Sequence, residues 1–324
     1  MSSIIQSIDQ AIDALRHNDI VAIPTETVYG LAGNAENSAA IAKIYALKNR
    51  PLNHPLIMHV TKHWDLTRWT ESIPDYACQL MEKFWPGPLT LVFNAAAGKV
   101  NPAITGGQTT IAIRSPCHPV ALAVLEALDF PLVAPSANPF GKISPTTAQH
   151  VQQSFLKDEL LILEGGRCTV GIESTIIDAS NEQGYQILRH GAIDEQDIIA
   201  AIGFSPLRQD NTLRVPGRLA SHYQPEKPLY CFADSMQLQQ FLSDHKDTYV
   251  LSFNKEKHFA DYAGYQLPRS AEQFAFELYY QLRLADQSDA QLIAIELPLN
   301  EGVWQGVYER LIKAGQIFNY FISP

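Results

Sequence analysis

The sequence lacks the spacings that usually announce a metal or a disulfide. Its four cysteines, Cys78, Cys117, Cys168 and Cys231, stand far apart with no CxxC pair. That leaves no structural zinc site or disulfide framework and suits a reducing, cytoplasmic compartment. His17, His63, His118, His150, His245 and His258 have no ligand spacing either, so no protein-bound metal is expected. Apolar runs are short and broken by Pro, Gly or charge, which leaves no transmembrane helix. No GxxxxGK run ends in Ser or Thr: Gly98-Lys99 is followed by Val100, and Gly141-Lys142 by Ile143. GxGxxG is absent as well. A nucleotide, if bound, is held by some other device than the common phosphate loops.

A basic nucleic-acid footprint is also missing. The net charge is −10, from 24 Lys and Arg against 34 Asp and Glu. Residues 1–204 carry 13 cations and 20 anions, a net −7, and the remainder 11 and 14, a net −3. This argues against strong nonspecific RNA binding. It leaves room for a small positive cleft, for which Lys48, Arg50, Arg114, Lys142 and Arg189 are the candidates.

At 324 residues the chain is long enough for two cores. The start is amphipathic (Ile4, Ile5, Ile8, Ile12 and Leu15, with Asp9 and Asp13 opposite) and reads as a folded first helix. Residues 1–204 then alternate short β-like runs with helices. Strands are expected at 20–24, 56–60, 89–94, 109–114, 132–134, 160–164 and 174–178. Helices are expected at 38–47 with Ser38 as cap, 75–84, 118–128, and 146–155 capped near Ser144. Residues 205–228 hold four prolines and few apolar side chains, the mark of an extended, docked linker. From 229 to 324 strands at 229–232, 249–253 and 292–296 alternate with helices at 235–242, 270–286 and 303–314. That βαβαβα order reads as a small doubly wound domain.

Two segments stand out. Lys48-Asn49-Arg50-Pro51 places two cations two residues apart at the end of a helix, before His54-Pro55. Pro135-Ser136-Ala137-Asn138 follows a short apolar run and leads through a Gly-Lys turn to Ser144. Cations and small hydroxyl groups on loops at strand ends suit a polyphosphate or a carboxylate. Each residue alone has a plainer reading. Lys48 and Arg50 could answer a helix dipole, Arg114 could belong to a structural ion pair, and Ser136 with Asn138 could be turn chemistry.

Seven blocks in order outweigh those plainer readings. They are Pro24-Thr25-Glu26-Thr27-Val28-Tyr29-Gly30-Leu31, Lys48-x-Arg50-Pro51 with His59-Val60, Trp85-Pro86-Gly87-Pro88-Leu89-Thr90, Ile113-Arg114-Ser115-Pro116, Pro135-Ser136-Ala137-Asn138, Glu173-Ser174-Thr175-Ile176 and Arg189-x-Gly191. In this set the chain resembles the Sua5/YrdC family. Pro216-Gly217 with His222-Tyr223-x-Pro225 is similar to the joint of its long, Sua5-type members. Two details depart from the pattern: Gln224 between Tyr and Pro, and the start of the last helix at Glu301-Gly302-Val303-Trp304.

The resemblance implies an α/β protein with a YrdC-like twisted mixed sheet at 1–204, a Pro-rich linker at 205–228, and a smaller Rossmann-like, doubly wound C-terminal domain at 229–324. It implies the joining of L-threonine, bicarbonate and ATP, with Mg²⁺, into threonylcarbamoyl-AMP and pyrophosphate. The product would serve threonylcarbamoyladenosine formation at tRNA position 37, through a partner transferase and with only indirect tRNA contact. Lys48 and Arg50 would be catalytic. They would hold the nucleotide together with His54, Thr110, Ser136, Asn138, Ser144, Arg189 and Tyr223, the last as a lid. Thr27, His59, Arg114 and Ser174 would line the threonine pocket. A non-catalytic RNA-binding module and a paralogue acting on another carbamoyl-type substrate are the rival readings.

Overall fold

Side-chain alternation along short buried strands decides how this chain folds. In the computed structural model, residues 1–208, 211–217 and 222–318 are described. The chain divides into two units, Met1–Phe140 with Ser144–Arg218, and Gly141–Ile143 with Leu219–Pro324. Among the described residues no helix is long and apolar enough to cross a membrane.

The first unit holds strands β1 (Ser3–Ile5), β2 (Val21–Ile23), β3 (Gly30–Asn34), β4 (Ile57–His59), β5 (Leu89–Asn94), β6 (Thr110–Arg114), β7 (Leu132–Val133), β8 (Leu161–Leu163), β9 (Thr175–Asp178) and β10 (Gln186–Arg189). Its helices are α1 (Ile8–Arg16), α2 (Ser38–Lys48), α3 (Asp75–Phe84), α4 (Pro102–Thr105), α5 (Pro119–Glu126), α6 (Ala148–Ser154) and α7 (Glu195–Ile202). The strands form one mixed sheet in the order β1-β8-β2-β3-β7-β4-β6-β5-β9-β10.

Period-two alternation sends neighbouring residues to opposite faces. Ala22, Leu31, Met58, Leu91, Ile113, Val133, Ile162 and Ile177 join one large core, into which α2, α3 and α7 place Ile44, Leu80 and Ile198. The opposite face is split. At one end Val21, Ile23, Ala32, Leu132 and Leu163 pack under Leu15 of α1 and Val124 of α5. Toward the other end Ile57, Val92, Ala112, Ile176 and Leu188 pack, among the described residues, with Val215 and Leu213. This stretch carries the polar groups described below.

Several boundaries differ from the sequence expectation. Ile4 and Ile5 lie in β1, paired with Ile162 and Leu163, because Ser7 starts the helix by accepting from Gln10 N at 3.2 Å. Asn37, not Ser38, caps α2, its carboxamide oxygen accepting from Ala39 N and Ala40 N. Thr147, not a residue near Ser144, caps α6, which begins only at Ala148. Strand β3 has no β-branched residue, only Gly-Leu-Ala-Gly-Asn, so propensity hides it. Its small residues allow close packing: a Cβ on Gly30 would lie 3.0 Å from that of Ala134.

The Pro-rich stretch is docked rather than free. In the first unit Leu207 N donates to Tyr185 O at 2.7 Å, and Arg214 N to Gln108 Oε1 at 2.7 Å. In the second, His222 N donates to Lys313 O, and Glu226 N and Lys227 N to the Asp286 carboxylate. Residues 209, 210 and 218–221 of the stretch lie outside the described residues.

The second unit contains β11 (Leu229–Phe232), α8 (Ser235–Asp244), β12 (Thr248–Ser252), α9 (Lys255–His258), β13 (Gly264–Gln266), α10 (Ala271–Gln287), β14 (Leu292–Glu296), α11 (Gln305–Ala314) and β15 (Gln316–Ile317). Its sheet is parallel throughout, in the order β13-β12-β14-β11-β15. Phe232, Val250 and Ala294 pack against Leu238, Phe241 and Leu242 of α8. Cys231, one residue on and facing the other way, donates its thiol to Leu311 O of α11. Helices therefore cover both faces, as a doubly wound sheet requires. The last helix is preceded by a 3₁₀ turn at Gly302–Trp304, and β13 and β15 are edge strands of three and two residues that the sequence pattern did not reveal.

One backbone approach in the first unit leaves no room for a side chain. A Cβ on Gly191 would lie 2.4 Å from Thr175 N and 2.7 Å from Glu173 O. Gly191→Ala is expected to push the 173–175 segment away and to lower stability by about 1–3 kcal/mol. Chemical denaturation measures this, and an unchanged midpoint would contradict the close packing.

Candidate functional site

Sheet register assembles one half of the site. His59 pairs with Arg114 across β4 and β6, and Thr90 pairs with Arg114 across β5 and β6. Residues in one row share a face, so three positions scattered over 56 residues of sequence stand side by side. Thr110 lies four residues before Arg114 and has the same facing.

Arg114 is buried, and its contacts can be counted. Nε donates to Gly87 O at 3.3 Å, one Nη1 hydrogen to Thr27 Oγ1 at 2.9 Å, and one Nη2 hydrogen to Glu26 Oε1 at 2.5 Å. A guanidinium has five N–H donors. Two remain, one on each terminal nitrogen, and among the described residues nothing takes them. That pair suits one carboxylate held in bidentate fashion.

The neighbouring hydroxyls have settled directions. Thr25 gives its only hydroxyl proton to Val28 O at 2.6 Å, so in the 2.8 Å contact between Thr25 and Thr27 the donor is Thr27. Thr27 Oγ1 thus donates to Thr25, accepts from Arg114 and keeps a lone pair. His59 is buried and reaches Ile57 O at 3.1 Å through Nδ1. A carbonyl only accepts, so Nδ1 carries the proton and Nε2 is left as an acceptor. Burial, reinforced by the Arg114 charge, pushes the His59 pKa down to about 3, so the ring is neutral at any working pH.

Ser174, just before β9, lies 2.7 Å from Thr90 Oγ1 and accepts from Arg189 Nη2 at 3.1 Å. Arg189 also donates to Ser174 O and Pro216 O. A bulge between Ile187 and Arg189 in the β9–β10 pairing re-aims this side chain.

The other half of the site is built on α2. The helix ends at Asn49 in the left-handed region, with φ at 50°, between Lys48 and Arg50. Lys48 Nζ, almost fully buried, donates to Ser136 O at 2.5 Å and to Asn138 O. An ammonium has three donors, so one remains. Burial first, and the Arg50 charge second, hold the Lys48 pKa well below the usual lysine range. Arg50 donates to Pro55 O at 2.8 Å and to His54 O at 3.3 Å, and lies 5.5 Å from the Phe140 ring centre. His54 stands edge-on to the same ring, and burial and the Arg50 charge lower its pKa.

Gly30 bridges to Ser136, and Leu31 N donates to Pro135 O, so the Pro24–Leu31 segment and the Ser136–Asn138 turn are tied together. Ser144 donates to Glu173 Oε1 at 2.5 Å. The structure thus brings Thr27, His59, Arg114 and Ser174 together around β4–β6, and Lys48, Arg50, His54, Ser136 and Asn138 around the end of α2. Lys142 and Tyr223 belong to the second unit. There Lys142 pairs with Glu226 at 2.9 Å, and Tyr223, with φ at 64°, packs beside His222 and Tyr279.

Sequence reasoning passed over four residues here: Glu26, Thr90, Ser115 and Glu173. All four belonged to quoted blocks, and for Glu26 a carboxylate between two threonines before an apolar run was the available signal. Ser115 Oγ is buried beside Arg114 without a hydrogen-bond partner among the described residues. No group of three or more His, Cys, Asp or Glu residues gathers as a metal site among the described residues.

Comparison with known proteins fits this arrangement. Residues 13–191 match the family model described as telomere recombination, that of Sua5, YciO and YrdC. Residues 185–315 match the model of the threonylcarbamoyl-AMP synthase C-terminal domain. The threonylcarbamoyl-AMP synthase of Bacillus subtilis is 37% identical over 95% of this chain and 92% of its own length. That of Pyrococcus abyssi is 34% identical over 93% and 91%. The crystal structure of P. abyssi Sua5 complexed with L-threonine superposes with a TM-score of 0.89 at 31% identity, over 98% of both chains. A mixed sheet carrying these blocks in this order, followed by the matched C-terminal domain, makes the chain a member of the Sua5 branch of the Sua5/YrdC family, the threonylcarbamoyl-AMP synthases.

Proposed function

We propose that this enzyme is a nucleotidyltransferase that forms threonylcarbamoyl-AMP and pyrophosphate from L-threonine, bicarbonate and ATP. The observation that carries the reading is the pair of open donor sets: two N–H groups on buried Arg114, and one on buried Lys48 beside Arg50. Arg114 would take the threonine carboxylate as a fork. Thr27 Oγ1 and His59 Nε2, both with acceptor capacity, would meet the amine or the hydroxyl, and Ser174 would close the pocket. Lys48, Arg50, Ser136, Asn138 and Ser144 would hold the phosphates. His54, Thr110, Arg189 and Tyr223 would contact the nucleotide. Mg²⁺ would enter with ATP as part of that substrate.

Once the threonine amine has become an N-carboxylate, that anion must attack the α-phosphorus while pyrophosphate leaves. The nucleophile comes from the substrate, so the protein's part is positioning and charge compensation. Lys48 and Arg50 would offset the repulsion between the two anions. The activated product would pass to a transferase that modifies tRNA, and the acidic first unit favours indirect contact with the tRNA.

Incubation with ATP, Mg²⁺ and bicarbonate, with and without L-threonine, is expected to release pyrophosphate only with threonine and to yield a product of threonylcarbamoyl-AMP mass. Absence of turnover in a folded protein that binds ATP would point to the paralogue reading.

The depressed Lys48 pKa has a signed consequence. Between the folded value and the ordinary value the unfolded chain binds more protons, so this group destabilises the fold at neutral pH. Lys48→Met removes that cost while depriving two carbonyls of a donor, at about 1–3 kcal/mol each. Activity is expected to fall about a hundred- to a thousandfold, with the melting temperature within a few degrees of the wild type. Retained activity would remove Lys48 from the site.

His59 is expected to hold one set of ring chemical shifts from pH 5 to pH 9, since its pKa of about 3 lies below that window. A titration with a midpoint near pH 6 would show instead that the ring is solvated.

A further inference from the structure

Glu26 is the charged group that touches Arg114, and the threonine reading gives it no role. Its carboxylate is as buried as the guanidinium, with 4% and 5% of the two side chains exposed. Oε1 accepts from Arg114 Nη2, and Oε2 accepts from Cys117 N at 3.2 Å. The backbone is anchored as well, since Val170 N donates to Glu26 O at 2.7 Å. The carboxylate is thus held at both oxygens, and its backbone at a third point.

Of the other titratable groups facing it, His59, Cys117 and Cys168 are uncharged, and burial lowers the pKa of His118. Burial, with the Arg114 charge, keeps His59 neutral. Burial and the Glu26 charge push the Cys117 thiol up to about 11, and burial raises the Cys168 thiol further. Arg114 and Glu26 are therefore the opposite charges in direct contact here, Arg189 reaching the pocket through Ser174, and the two open Arg114 donors face a ligand across a guanidinium that is already compensated. Away from water such a pair is weakly screened. A ligand that brings only a carboxylate adds an uncompensated negative charge to this pair. A ligand that brings a carboxylate and an ammonium group leaves it neutral, with its ammonium drawn toward Glu26.

We propose that Glu26 sets the specificity of this pocket: by compensating Arg114 it makes the site select a zwitterionic 2-amino-3-hydroxy acid over a carboxylate of the same shape that lacks the ammonium group. The inference rests on the threonine reading of the site and adds the residue that enforces it. Glu26 acts through charge and through the orientation of Arg114, and it needs no contact with the reacting atoms.

The test is calorimetric binding of L-threonine and of 2,3-dihydroxybutanoate of matching configuration, to the wild type and to Glu26→Gln. The second ligand keeps every heavy-atom position but carries a hydroxyl where threonine carries its ammonium. The wild type is expected to prefer threonine by about a hundredfold or more, since one charge pair at about 5 Å supplies a few hundredfold at an effective dielectric of about 20. In Glu26→Gln threonine weakens, the anionic analogue tightens, and the preference collapses toward one. A purely structural role would weaken both ligands by the same factor, and that parallel loss, or no change in either, would overturn the inference. Should Glu26→Gln not fold, Glu26→Asp keeps the charge on a shorter arm. It is then expected to lose affinity for both ligands while keeping the preference, and a lost preference would overturn the proposal. A wild type that does not bind L-threonine at all would instead overturn the underlying reading of the site.

Discussion

Positive charge taken out of water has to be met by something, and the ways this chain meets it decide the rest of the site. Lys48 is met by two backbone carbonyls, of Ser136 and Asn138, and Arg114 by a carboxylate, a carbonyl and a hydroxyl. Carbonyls solvate a cation without cancelling its charge, whereas Glu26 cancels it. The end of α2 thus keeps a net positive character suited to a phosphate chain, and the β4–β6 row is charge-balanced and suited to an amino acid. Two different anions can be told apart in one cleft because the counter-groups differ, even though the cations are similar.

Meeting those charges also dictates backbone shape. The two carbonyls that hold Lys48 come from a turn tied to Gly30 and Leu31. The guanidinium of Arg114 depends on Gly87 O, and Gly87 N is in turn bonded to Ser115 O at 2.7 Å. Each cation is therefore coupled to a loop that carries other binding groups. This gives a physical reason why short motifs, rather than isolated residues, mark the site.

That coupling also explains what could be read from the sequence. Strand runs with β-branched residues, such as Leu89–Asn94 and Thr110–Arg114, agree with the pattern to within a residue. Strand β3 escaped, because small residues chosen for close packing carry no β signal. Site residue types were legible because cations on turns have few structural uses. Their partners were not: Glu26 and Arg114 are 88 residues apart, as are Lys48 and Ser136, and only sheet register and loop pairing join them. Nor did the plainer reading of Arg114 as an ion-pair member compete with a ligand role. In the proposed site it is both, because an arginine has more donors than one carboxylate can use.

The second unit shows the same economy with the opposite outcome. In a doubly wound sheet the crevice at the carboxyl ends of the strands is where ligands bind. Here that place holds Glu296, at the end of β14. Its carboxylate accepts from Ser235 Oγ at 2.8 Å, Ser252 Oγ at 2.7 Å and Phe253 N at 3.1 Å. Those hydroxyls and that N–H are the groups a bound phosphate would claim, and an internal carboxylate already occupies them. In the first unit, by contrast, the internal carboxylate of Glu26 uses one face of a guanidinium and leaves donors over. Whether a buried charge closes a site or tunes it depends on how many donors remain after it is satisfied. On that count, among the described residues, the donors left over for the proposed chemistry are those of Arg114 and Lys48 in the first unit.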